Sequence, residues 1–174
     1  MWNEQLYNDA IGLLQQLIAT PSFSREEEKT AALIENFLEE HGVAYHRHMN
    51  NVWAVNKYFD PAKPTLLLNS HHDTVKPNSA YTRNPFEPSI EDGKLYGLGS
   101  NDAGACLVDL IATFLHFYSR QNLKYNLIIT ATAEEEISGF NGVESILPQM
   151  PSFDFAIVGE PTLMQLAIAE KGLM

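Results

Sequence analysis

One cysteine, Cys106, occurs in the 174 residues, so no intrachain disulfide can form. Its setting, Ala105-Cys106-Leu107-Val108, reads as a buried helix face, which points to a packing thiol rather than a nucleophile. Basic residues are also scarce: 11 Lys and Arg face 22 Asp and Glu, for a formal charge of −11. Phosphate-rich partners would be repelled, which argues against nucleic acid and against an anionic membrane. No apolar run is long enough to span a bilayer. The start, Met1-Trp2-Asn3-Glu4-Gln5, lacks the basic residues and apolar core of a secretion signal, so a cytoplasmic protein is expected. A Gly-x-Ser-x-Gly elbow is missing, which disfavours a serine hydrolase. Gly97-x-Gly99 has Asp102 where a dinucleotide fingerprint needs its third glycine. No internal repeat or low-complexity tract interrupts the chain. An apolar fraction of 45% is ordinary for a globular protein, and the length suits one domain with a sizeable core.

The hydrophobic pattern alternates in type along the chain. Leu6, Ala10, Leu13, Leu14, Leu17 and Ile18 recur at helical spacing and predict a first amphipathic helix, ended by Thr20-Pro21-Ser22. Ser24 followed by Glu27 has the form of a capping box for a second helix with the apolar face Ala31, Ile34, Phe37 and Leu38, closed by His41-Gly42. Val43 to His48 and Val52 to Tyr58 read as strands around an Asn50-Asn51 turn. Thr65 to Ser70, Leu127 to Thr132 and Phe153 to Val158 read as buried strands, and Leu166 to Ala169 as a further one. Between them, Asp102 to Tyr118 and Gly142 to Leu147 read as helices, while residues 76–96 form a long surface excursion. Strands alternating with helices predict an α/β domain with helices on both faces of a sheet.

Four short segments then place acids or imidazoles at strand ends or turns, where open α/β sheets build their sites. His71 and Asp73 stand two apart at a strand end. One ring nitrogen could bind a metal while the carboxylate takes the proton of the other and fixes the tautomer. A strand-end His and a turn Asp are the plainer account, and His72 should face away into packing or surface contact. Asp102 follows Gly97-Leu98-Gly99 and could be a ligand or the N-cap of the next helix. Glu134-Glu135-Glu136 are mutually repulsive carboxylates directly after an apolar strand. They could be a solvated turn, or a metal ligand beside a general base. Glu160, between Val158-Gly159 and Pro161, could be another ligand. His41, His46, His48 and His116 read as surface or packing residues. Oxygen ligands with one imidazole suit Zn²⁺ or a similar divalent ion.

Taken in order, His71-x-Asp73, Asp102 after Gly-x-Gly, the Glu run and Gly159-Glu160-Pro161-Thr162 resemble the acetylornithine deacetylase / succinyl-diaminopimelate desuccinylase family of di-zinc amidohydrolases. The resemblance implies a zinc-exopeptidase-like catalytic domain with a mixed sheet, and two Zn²⁺ ions, with Co²⁺ or Mn²⁺ as substitutes. It implies that His71 and Glu160 bind the first ion, Glu136 the second, and that Asp102 bridges both. Asp73 would orient His71, and Glu135 would be the general base; a shift of the run by one would make Glu134 the base. The implied reaction is hydrolysis of the amide of a small N-acylated amino acid, acetyl- or succinyl-ornithine in arginine biosynthesis. A peptide-cleaving aminopeptidase or carboxypeptidase, or a non-catalytic metal-binding module, are the alternatives. Two departures stand out: the family often has Lys two residues after the bridging Asp, where this chain has Gly104, and its last His ligand has no counterpart here. The expectation is that residues 1–174 are the N-terminal portion of the catalytic domain. A lid or dimerisation domain would follow, and the full-length protein would be a homodimer.

Overall fold

A computed structural model describes residues 3–163 and 165–166. Helix α1 spans Glu4–Ala19; Asn3 caps it, its side chain accepting from the Leu6 N–H at 3.2 Å. Its buried face is Ala10, Leu13, Leu14, Leu17 and Ile18, the stripe that the spacing predicts. Helix α2, Glu28–Glu40, buries Ala31, Ile34, Phe37 and Leu38. The predicted capping box is not formed, because Glu27 makes no side-chain bond to its own helix. Ser24 and Glu27 are instead used elsewhere, as described below.

The strands are β1 (His46–His48), β2 (Asn51–Val55), β3 (Thr65–His71), β4 (Ser89–Glu91), β5 (Lys94–Tyr96), β6 (Asn126–Thr132) and β7 (Phe155–Val158). Five of them form one mixed sheet in the order β1-β2-β6-β3-β7. The β1–β2 and β2–β6 pairs are antiparallel, whereas β6–β3 and β3–β7 are parallel. The first two strands are shorter than predicted. Val43 and Ala44 precede the pairing, and Asn56 leaves the ladder to accept from the Leu127 N–H at 2.8 Å. Residues 76–96 are not structureless: β4 and β5 pair as a hairpin. Arg83 braces it by bonding Glu91, with its guanidinium 4.1 Å over the Tyr96 ring.

Alternation along β3 and β6 sends Leu68, Leu127, Ile129 and Ala131 to one face, under α1, α2 and helix α3 (Cys106–Tyr118). Leu67 and Ile128 point to the other face, with Trp53, Met150 and Ile146 of the short helix α4 (Val143–Ile146). Both faces are therefore covered at the centre of the sheet, and β6 is buried at every position; β7, at the sheet edge, is exposed at all four of its residues, so the buried strand predicted there forms but is not buried among the described residues. Each fully buried Leu or Ile contributes roughly 1.5–3 kcal/mol of transfer free energy. Cys106 is only half-buried, at the first turn of α3 rather than deep in its face. Among the described residues no helix is long and apolar enough to cross a membrane. Of the strand predicted at Leu166 to Ala169, only Leu166 is described, so that expectation lies outside the described residues.

Candidate metal centre

The parallel strands β3, β6 and β7 end on the same side, and their exits supply most of the predicted residues. His71 is the last residue of β3 and is buried to 1% exposure. Its Nδ1 lies 3.1 Å from the main-chain oxygen of Asp73 and 3.3 Å from Asp73 Oδ1. A carbonyl can only accept, so Nδ1 carries a proton, and in the neutral ring, the form that binds a metal, Nε2 presents the lone pair. That Nε2 is buried and has no hydrogen-bond partner. Around it stand Asp102 Oδ1 at 3.3 Å, Glu135 Oε2 at 3.7 Å and Glu160 Oε1 at 3.8 Å.

Asp102 arrives by a tight path. Gly99 has a left-handed φ of +76°, and a Cβ there would sit 2.8 Å from Thr74 Cγ2, so only glycine fits. Asp102 itself is extended (φ −115°, ψ 101°), and α3 starts only at Cys106. The N-cap reading of Asp102 is therefore corrected: its carboxylate is free of helix N–H groups. Gly104 stands where the family resemblance leads one to expect Lys, and a Cβ there would lie 2.5 Å from the Gly99 oxygen and 2.8 Å from Leu14. This backbone leaves no room for a side chain.

At the end of β6 the chain turns sharply through Glu134, which is left-handed at φ 54°. Glu134 is buried, and its carboxylate accepts from Asn141 Nδ2 at 2.9 Å. Its carboxylate is engaged by Asn141, whereas Glu135 and Glu136 follow in a single 3-10 turn and bring their carboxylates to the His71 side. Glu160 follows β7, anchored by the Gly159 N–H on the Asn69 oxygen (2.8 Å) and by Ser70 Oγ on the Gly159 oxygen (2.8 Å). Ligand atoms of His71, Asp102 and Glu136 all lie within 4.8 Å of one another, and Glu160 reaches the same imidazole. An orphaned buried nitrogen facing several carboxylates fits a divalent cation of the Zn²⁺, Co²⁺ or Mn²⁺ type.

Electrostatics agree with that geometry. Burial of the His71 ring opposes its charge. The Asp73 bond and the charges of Asp73, Glu135 and Glu160 outweigh it and raise the imidazole to about 9. Burial pushes the Glu136 carboxyl up, and Asp102 adds to the effect. Burial likewise raises Glu160; the pull of His71 is overcome by Glu135, Asp102 and Glu136. Crowded like charges of this kind are relieved by a bound cation. Burial and the carboxylates of Glu160, Asp109 and Asp102 push the Cys106 thiol up, so it is no nucleophile.

Sequence reading missed how the centre is held. Asp73 is fully buried and accepts from the Glu135 N–H (3.1 Å), the Glu136 N–H (3.2 Å) and Ser24 Oγ (2.7 Å), besides facing His71. It thus ties the imidazole to the glutamate turn. Burial opposes its ionisation, but the His71 and Ser24 bonds prevail and hold its carboxyl below the usual range. Of the two places expected for His72, packing and surface, the structure has the first: it is buried, with Nε2 2.9 Å from the Asn50 oxygen and Nδ1 2.9 Å from Thr30 Oγ1. Only the Ser24-x-x-Glu27 pattern hinted at these supports, and it mimics a helix cap.

Residues 67–171 match the model of peptidase family M20/M25/M40. The chain belongs to that family. An M20 family metallo-carboxypeptidase from Sulfolobus solfataricus is similar at 26% identity and a TM-score of 0.70, over 91% of this chain and 37% of that one. Human carnosine dipeptidase 1 shares the fold at 18% identity and a TM-score of 0.68, over 88% of this chain and 38% of its own. A dinuclear metal binding M20 peptidase from Bacillus subtilis shares it at 19% identity and 0.67, over 90% and 43%. The mixed α/β sheet is that of M20 catalytic domains, and this chain spans about two fifths of the length of these structures.

Proposed function

We propose that these residues are the N-terminal portion of the catalytic domain of a metal-dependent M20 hydrolase that cleaves the amide bond of a small N-acylated amino acid. The observation that carries this reading is the orphaned His71 Nε2 facing Asp102, Glu135 and Glu160. His71, Asp102, Glu136 and Glu160 would hold two divalent ions, preferably Zn²⁺. When bound, such ions act as Lewis acids and bring the pKa of water from 15.7 towards about 7. Glu135 is open to solvent beside this group and accepts the proton of the attacking water. It then returns that proton to the nitrogen of the leaving amine. Asp73 keeps the His71 proton on Nδ1 and holds the Glu135 and Glu136 backbone.

For the substrate, the sequence resemblance supports acetyl- or succinyl-ornithine in arginine biosynthesis. The metallo-carboxypeptidase at 26% identity favours a second reading, release of an amino acid from a small peptide. A cytoplasmic homodimer with a lid domain completes the proposal. Glu135→Gln in the complete enzyme should retain its metal and lose turnover by at least about 10²-fold, the lower end of general-base effects. Wild-type turnover by this variant would refute the role. Acyl-ornithines and dipeptides compared in one assay would separate the two substrate readings.

A further inference from the structure

Glu27 is fully buried, yet among the described residues no ion pair forms at its carboxylate. Three N–H donors serve it instead. Oε1 accepts from the Arg25 N–H at 2.7 Å and from the Glu134 N–H at 3.2 Å, and Oε2 accepts from Asn50 Nδ2 at 2.8 Å. These donors come from the loop before α2, the β1–β2 turn and the turn after β6. Each segment contains a non-glycine residue at positive φ: Arg25 at 78°, Met49 at 55° and Glu134 at 54°. Such conformations persist only where surrounding contacts over-determine them. A buried carboxylate is costly unless hydrogen-bonded, and here all of its bonds go to those turns.

The Glu134 N–H is the first of three successive amides. Those of Glu135 and Glu136 are held by Asp73, and that of Glu134 by Glu27. Successive backbone N–H groups in a turn form a concave nest that favours anions. Here two buried carboxylates from elsewhere in the chain fill it. The loop that bears Glu27 also supplies Ser24, the hydroxyl donor to Asp73.

We propose that Glu27 is a positioning residue for the metal centre: by fixing the Glu134 amide it sets the turn from which Glu135 and Glu136 reach the site. This rests on the base and ligand roles given to those two residues above. In the complete protein, Glu27→Met keeps the side-chain length and removes every acceptor. Glu27→Gln keeps Oε1 for Arg25 and Glu134, and Asn50 can turn its own oxygen towards the new amide at the cost of the long 3.3 Å bond that this oxygen accepts from Arg47. Leu13→Ala, a core truncation at the helical layer, serves as the stability control. The expected result is a Co²⁺ dissociation constant raised at least tenfold in E27M, with kcat lowered and KM within twofold. E27Q should stay within threefold of wild type on each measure, and L13A should lose thermal stability while keeping Co²⁺ affinity within threefold. The proposal is overturned if E27M binds Co²⁺ within threefold of wild type, if E27Q falls as far as E27M, or if L13A loses as much affinity as E27M. Should E27M not fold, Glu27→Asp replaces it. One methylene shorter, it withdraws from the Glu134 amide, and unchanged Co²⁺ affinity overturns the proposal equally. A wild-type protein that takes up no Co²⁺ would refute the metal-centre reading instead. The positioning role is then read from hydrogen exchange at the Glu134 amide, slow in wild type and at least tenfold faster in E27M; equal rates overturn it.

Discussion

Replacing Asp73 by Asn removes one oxygen from a carboxylate at which every bond is an accepted one. If the amide oxygen stays at the Oδ1 position, it still serves the Glu135 N–H and faces His71 Nδ1. The new NH₂ then confronts the Glu136 N–H, which stood 3.2 Å from Oδ2. Ser24 can rotate its hydroxyl to accept, but a peptide N–H cannot. In the flipped orientation the NH₂ confronts both the Glu135 N–H and His71 Nδ1–H, which is worse. At least one buried N–H is left without an acceptor, at a cost of about 1–3 kcal/mol. Loss of the charge beside His71 adds to this, so about 2–4 kcal/mol of folding stability should disappear. Partners that orient metal-ligating histidines are worth about 10–100-fold in metal affinity. Equilibrium urea unfolding of the metal-free protein would read the first effect, and Co²⁺ titration followed by visible absorption the second. An Asp73→Asn protein with unfolding free energy within about 0.5 kcal/mol of wild type and unchanged Co²⁺ affinity would refute the argument. Ser24→Ala is the graded comparison: Asp73 keeps its backbone donors, and about 1 kcal/mol should be lost.

His72 should remain neutral, with its proton on Nε2, down to about pH 4, because burial outweighs its bond to the Asn50 carbonyl. Its folded pKa lies below the unfolded value near 6.5, so the contribution is present above that pH. About 3 kcal/mol is lost as pH falls through the window; nitrogen-15 shifts of the ring that titrate near 6.5 would contradict this. Gly139→Ala would place a Cβ 2.0 Å from Glu134 Oε2, so the Glu134 side chain must leave Asn141. A loss of about 1–3 kcal/mol is expected by calorimetry, and an unchanged midpoint would show that the turn has slack. Zn²⁺ at a hundredfold excess over its dissociation constant should add about 2.7 kcal/mol to the stability of the stripped protein. A melting temperature indifferent to Zn²⁺ and to chelator would count against any cation at His71.

The parts of this molecule that the sequence discloses are those governed by period and polarity. The stripe from Leu6 to Ile18 and the apolar run from Leu127 to Thr132 each admit one element, and both occur. Strand exits are similarly legible, because His71 closes the apolar strand β3 and Glu160 comes just after β7, both polar residues at the end of an apolar run. Ser24-x-x-Glu27 was illegible for a physical reason: a capping box and a pair of long-range braces have the same local composition. What decides between them is a turn 107 residues away, where the Glu134 N–H requires an acceptor. Asp102 shows the same ambiguity. An acid before a helical stripe suits a cap, and only the path of Gly99 to Gly104 moves the helix start to Cys106.

The acids of this chain also divide by what surrounds them, and the division follows from lone pairs. Glu27, Asp73 and Glu134 are buried and occupied by N–H or O–H donors. Asp73 is the fullest, with donors or the His71 ring at both oxygens, and Glu27 takes three donors, so an ion would have to displace them. Asp102, Glu135, Glu136 and Glu160 are more open, and among the described residues their carboxylates accept no hydrogen bond; the His71 ring is the cation nearest to three of them. Were the first group ligands, the turns they hold would be released when the ion bound. Were the second group braces, the N–H donors that braces need would be found beside them. Asp73 is the clearest case: it is nearer to His71 than Glu135 or Glu160, yet each of its oxygens already has a donor. Distance to the imidazole would name it a ligand, whereas the occupancy of its oxygens makes it a brace between His71 and the turn that carries Glu135 and Glu136.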